Sequence, residues 1–158
     1  MRIRIIAVGK IKEKFLQEGL AEYLKRLEPY VKLQVIEIAD EKRPKISSPA
    51  VESIAIEKEG ERILAAIPSG SPMILLEVSG QSWSSEKLAA TLREWELSGI
   101  MPVFVIGGDI GISPAVRARS TVRLSLSPMT FTHPMARLLI IEQIYRAFRI
   151  SRGEPYHK

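Results

Sequence analysis

An α/β fold, built on a mainly parallel sheet with helices on both faces, is predicted by three features of the sequence. Segments of strand pattern alternate with segments of helical period along the whole chain. The stretches at 73–78 and 103–106 are almost continuously apolar, as strands buried on both faces must be. No repeat, linker or low-complexity segment interrupts the 158 residues, so a single domain over 1–158 is expected.

The elements follow in order. Arg2–Val8 is the first strand. Lys10–Tyr30 carries apolar residues at Phe15, Leu16, Leu20, Tyr23, Leu24 and Leu27, the spacing of an amphipathic helix. Leu33–Ala39 is a second strand, and Asp40–Pro49 is a polar, proline-bearing loop with three cations. Ala50–Ile67 is helical and Pro72–Val78 a strand. Ser84–Gly99 is a helix that Ser84 or Ser85 caps and Gly99 stops. Met101–Gly108 reads as strand then turn, Ser113–Ser120 as a short helix with Pro114 near its first position, and Val122–Leu126 as a fifth strand. The last helix runs from about Pro134 to Ile150.

Composition narrows the function classes. The absence of cysteine removes disulfides, thiol nucleophiles and sulfur metal sites, and two histidines argue against structural zinc, so no metal is expected. Lys and Arg number 23 against 18 acids, a net charge of +5 that favours a polyanionic partner. No apolar run reaches the roughly 18 residues of a membrane span. The opening MRIRIIAVGK reads as a strand rather than a signal peptide, so a cytoplasmic protein with no membrane partner is expected.

In sheets of this kind, ligands sit outside the carboxyl ends of the strands. Three segments fall there: the end of strand 72–78, the turn IGGDIG (Ile106–Gly111), and LSPMTFTHPMAR (Leu126–Arg137) after the fifth strand. The glycines allow a sharp turn and a close approach of backbone to ligand. The spacing is not that of a dinucleotide fingerprint, and the chain has no Walker-type phosphate loop, which disfavours a flavodoxin-like nucleotide binder. An ordinary strand-to-helix turn remains the plain alternative.

Read together, VIGGDIG, LSLSPMTFTHPMARLLIIEQIYRAF and the ending RGEPYHK resemble the SPOUT methyltransferases, and among them the enzymes that methylate N3 of a pseudouridine in large-subunit rRNA. The resemblance covers the whole chain, from IIAVGK and EYLKRL onward. It implies a homodimer with a trefoil knot near the C-terminus and S-adenosylmethionine bound in the knot. The implied product is S-adenosylhomocysteine, and the implied target is pseudouridine 1915 in helix 69 of the 23S rRNA, in the large subunit or the 70S ribosome.

The same resemblance implies the cofactor residues. Leu126, Ser127, Pro128, Met129, Thr130 and Phe131 would wrap the cofactor, with Leu76, Gly107 and Gly108 completing the walls. Apolar side chains there can cover an adenine face, and the hydroxyls of Ser127 and Thr130 can hold the loop. Pro128 offers no amide donor. His133 would lie beside this loop, contacting RNA or a partner subunit. Arg137 stands in the first turn of the last helix, where a cation opposes the macrodipole by roughly 0.3–1 kcal/mol, so it should have a partner: phosphate, cofactor carboxylate or an acid across the dimer.

On the last helix Glu142, Gln143, Arg146 and Arg149 share a polar sector, with Glu142 and Arg146 an i,i+4 pair. The rest of its circumference is apolar, as in a helix shared between core and subunit interface. The tail Ser151–Lys158 is expected over the active site, with Tyr156, His157 and Arg152 orienting the target base and Arg152 and Lys158 contacting RNA. A non-enzymatic ribosome- or RNA-binding α/β protein would also explain charge, sheet and tail, but not the cofactor loop.

Overall fold

The computed structural model describes residues 1–156; His157 and Lys158, both named among the expected site residues, lie outside the described residues. Ten elements alternate: β1 (Arg2–Val8), α1 (Lys14–Leu27), β2 (Lys32–Ile38), α2 (Pro49–Ala65), β3 (Met73–Ser82), α3 (Ser85–Leu97), β4 (Val103–Ile106), α4 (Pro114–Arg119), β5 (Val122–Ser125) and α5 (His133–Ser151). The five strands pair in parallel in the order β2-β1-β4-β3-β5.

Period-2 alternation sends successive side chains of β1 to opposite faces. Ile3, Ile5 and Ala7 join Leu27, Leu88, Leu92, Ile140 and Ile144 in a core beneath α1, α3 and α5. Ile6 and Val8 join Ile38, Ile63, Val105 and Val116 beneath α2 and α4. Both faces are covered, as expected. The helix starts are local chemistry: Ser48, Ser84 and Ser113 each accept the amide three residues on, and Pro49 and Pro114 follow two of them.

Two boundaries differ from expectation by four residues, the others by fewer. The first helix begins at Lys14, not Lys10, because Gly9 adopts φ 80° and turns residues 10–13 across the end of the sheet. There the Gln17 amide donates to the Ile11 carbonyl at 2.7 Å. Strand β3 continues to Ser82, four residues past the expected end. The segment SGQS looks like a turn, but it pairs with β5 beyond a register shift, Leu124 standing opposite both Leu76 and Gln81. Only glycine fits at position 80, where a Cβ would stand 2.7 Å from the Arg123 backbone.

Candidate functional site

Three cavities open along the carboxyl ends of the strands. A small apolar slot of about 70 Å³ is lined by Leu76, Leu126, Ser127, Met129 and Phe131. It adjoins a larger cavity of about 580 Å³ at Phe131 and Ala136; Gly107, Gly108, Thr130 and His133 line that one. A third, of about 480 Å³, lies outside the ends of β1 and β2 and meets the second at Glu13, Gly108, Asp109, His133 and Pro134. Of the nine residues expected around the cofactor, all but Pro128 line the first two cavities. Met129 and Phe131 are exposed, 74% and 38%, beside an apolar slot, a placement that a bound apolar group would cover.

The loop that carries them is held by hydroxyls. Ser127 Oγ accepts the Met129 amide at 3.0 Å, and Ser125 Oγ donates to the Ser127 carbonyl at 3.0 Å. Ser125 was not among the expected residues; it is buried at the end of β5, and nothing local in the sequence sets it apart from Ser127. The glycine turn has a reason of its own. A Cβ on Gly107 would stand 2.8 Å from the Ile112 side chain and 3.1 Å from the Gly111 carbonyl, so packing within the turn, before any ligand, already favours glycine there. Beneath Gly108 lies Glu59, almost wholly buried, which accepts the Glu41 amide at 2.8 Å through one carboxylate oxygen while the other has no partner among the described residues. Burial pushes this carboxyl above the usual range. Arg43 bonds Asp109 at 2.7 Å, tying the loop after β2 to the glycine turn.

Arg137 has the partner its position demanded, but not a polyanion. It is completely buried, donating Nη1 to Glu37 Oε1 at 2.7 Å and Nη2 to the Gly9 carbonyl at 2.9 Å. An RNA-binding role for Arg137 is therefore corrected: it braces the start of α5 against the ends of β1 and β2. His133 stands at the partition between the second and third cavities. Burial holds its imidazole below the ordinary value, with Asp109 opposing and Arg137 adding to the shift, so it is neutral at pH 7.

Within one chain, Arg152 and Tyr156 do not line these cavities. The Tyr156 hydroxyl donates to Glu142 Oε1 at 3.0 Å, leaving Tyr23 as donor in the 3.3 Å contact between the two phenols. Its ring meets Tyr145 edge-on at 4.9 Å and lies under Arg146 at 4.7 Å. Burial, then these hydrogen bonds, push the phenol up, so it stays a proton donor. Glu142 is nine residues along α5 from His133, about 13 Å of helix. Arg152, at the far end, stacks on Tyr30 at 4.8 Å. Within one chain, then, Tyr156 and Arg152 are seated on α1 and α5 rather than at these cavities.

Comparison with known proteins agrees with this geometry. A family model described as "Predicted SPOUT methyltransferase" matches residues 1–157. A chain from Methanoregula boonei is 57% identical over 159 residues. Proteins named "Ribosomal RNA large subunit methyltransferase H" from Carboxydothermus hydrogenoformans and Symbiobacterium thermophilum are 52% and 50% identical over 159 and 161 residues. In all three, the match covers 100% of both chains. A Legionella pneumophila structure solved with bound cofactor SAM superposes with a TM-score of 0.53 at 11% identity, over 93% of this chain and 66% of that one, a likeness of fold alone. The residues matched by the family model and the full-length relatives place this chain in the SPOUT methyltransferase family.

Proposed function

We propose that the protein transfers a methyl group from S-adenosylmethionine to N3 of a pseudouridine in large-subunit rRNA, namely pseudouridine 1915 of helix 69. The large subunit or the assembled ribosome is the substrate, which puts the protein in the cytoplasm. The observation that carries this reading is the gathering of Leu76, the glycine turn and the 126–131 loop around two joined cavities. Full-length relatives named for rRNA methylation support it, as does the fold shared with a SAM-bound structure.

When bound, the cofactor supplies an activated methyl on a sulfonium; transfer to nitrogen leaves a neutral thioether, S-adenosylhomocysteine, and releases the N3 proton. The chain's own residues position. Leu76, Leu126, Met129 and Phe131 offer apolar faces, Ser127 and Ser125 fix the loop, and the glycine turn brings backbone close. N3 of a uracil-type ring is weakly acidic, so alignment accounts for most of the rate and no metal is needed. A trefoil knot belongs to the same reading, supported by the tight passage of Gly80 against the Arg123–Leu124 backbone.

A homodimer through α5 also belongs to it. Tyr156, His157 and Arg152 orient the base, and His133, Arg152 and Lys158 contact RNA. Arg152 and Tyr156 stand apart from the cavities of their own chain along α5, so a second copy is what brings them to the site. The test is calorimetric titration with S-adenosylmethionine, followed by tritiated methyl incorporation into ribosomes lacking the modification. A protein that binds ribosomes but neither binds the cofactor nor incorporates label is a non-enzymatic RNA-binding protein, and the reading fails.

A further inference from the structure

Of the residues expected around the cofactor, Gly108 alone borders the third cavity. This cavity lies outside the ends of β2, β1 and β4, and β1 is the strand at which the sheet order turns back on itself, with β2 on one side and β4 on the other. In open parallel sheets that switch point is where a ligand finds a crevice between diverging loops. The cavity's floor is apolar, from Val8, Ile38 and Pro134. Its rim is cationic on one side. Gly9, at φ 80°, gives its carbonyl to Arg137, and this turn sends Lys10 and Lys12 to the rim. Both lysines are exposed, and neither ammonium has an ion pair or hydrogen bond among the described residues, whereas Lys14 beside them pairs with Glu18. Four acids also line the cavity: Glu37 and Asp109 are neutralised by Arg137 and Arg43, while Glu13 and Asp40 have no ion pair among the described residues, so a phosphate is accommodated only on the lysine side. An apolar floor of ring size with two uncommitted cations on that side suits a nucleotide: base below, phosphate at the lysines.

The cavity has one side open to the cofactor residues, and His133 stands there, bordering both spaces together with Gly108 and Asp109. We infer that this 480 Å³ cavity is the seat of the target nucleotide: a uracil-type ring on Val8, Ile38 and Pro134, its phosphate on Lys10 and Lys12, and N3 turned past His133 toward the methyl donor. The inference rests on the methyltransferase reading and adds to it where the acceptor sits. It also defines the class of RNA. A ring can enter a walled cavity only when it is unstacked, so the acceptor lies in a loop or is flipped out of a helix.

Ala39, exposed at the end of β2, lines this cavity and not the other two. The Ala39→Trp variant fills it. Its affinity for S-adenosylmethionine by calorimetry should stay within about twofold of wild type, while kcat/KM on unmodified ribosomes falls by roughly 100-fold, as expected when acceptor positioning is lost. The second variant, Lys10→Ala with Lys12→Ala, changes exposed residues only. Its KM should rise about tenfold with kcat nearly unchanged. The slope of log affinity against log salt should shrink by roughly 1.4–1.8, the share of two phosphates. Wild-type methylation by Ala39→Trp, or an unchanged KM and salt slope in the lysine variant, overturns the seat while leaving the methyltransferase reading intact. A wild-type protein that methylates no ribosome overturns both.

Discussion

At the amino end of α5 one arginine is sealed inside the protein; at the carboxyl end three stand over tyrosine rings. Arg137 has a carboxylate and a carbonyl as fixed partners and no contact with solvent. Arg146, Arg149 and Arg152 lie 4.7, 5.9 and 4.8 Å from the centroids of Tyr156, Tyr145 and Tyr30. The first is part of the frame, since removing it leaves a buried acceptor bare. Arg146 and Arg149 add partly exposed carboxylate partners, Glu142 and Glu154, and Arg152 has its ring alone, so the cost of replacing these contacts falls from Arg137 toward the chain end. What a cation does here is set by its surroundings rather than by its place on the helix.

The comparison can be broken most sharply at Arg137. Arg137→Met should cost about 3 kcal/mol, the lower end for breaking a buried pair, because the Glu37 side chain left behind is 38% exposed. In a chain of this size the melting temperature should drop by roughly 6–12 °C. A loss below about 1 kcal/mol would mean that the strut is dispensable. Deleting residues 155–158 should lower methyl transfer to ribosomes by about 100-fold, measured by tritium incorporation, because base orientation supplies much of the barrier reduction. Cofactor affinity in the same truncated protein should be unchanged, and equal turnover would make the tail an ordinary chain end.

A smaller effect separates the tail's packing from its chemistry. Tyr156→Phe keeps the ring but removes the bond to Glu142, and should cost about 1 kcal/mol in urea denaturation. The pH profile carries another sign. His133 is held below its ordinary value, so the unfolded chain takes up the proton first as pH falls. Its contribution is therefore constant above about pH 6.5 and is lost below that value, a loss that His133→Gln should remove from the melting profile. Smallest is Arg152→Ala, which should leave melting unaltered and reduce the salt slope of RNA binding by roughly 0.7–0.9.

Local signals carried the fold well. The alternation in Arg2–Val8, the capping serines 48, 84 and 113 and the prolines behind two of them lie within four residues of what they determine. The loop around 126–131 was legible through a motif long enough to be specific. What stayed hidden depended on distant chain. Glu37 is an unremarked acid in a strand until α5 brings Arg137 to it, and SGQS is a turn until β5 arrives to pair with it. The seat of Tyr156 requires α1 and α5 side by side, and no spacing within EPYHK foretells it. Residues 10–13 read as helix because the residues that follow them have helical period.

Arg137 reaches back 100 residues to Glu37 and 128 to Gly9. Because synthesis proceeds from the amino end, β1 and β2 leave the ribosome long before the side chain that joins them to α5 exists. The entropy cost of closing so long a loop grows only slowly with its length, so it is the order of synthesis rather than the loop that delays the contact. The walls of the third cavity therefore lock late, after both halves of the sheet have met. A truncated or stalled chain can form strands and helices, yet has no means of closing the edge at which its ligands would bind.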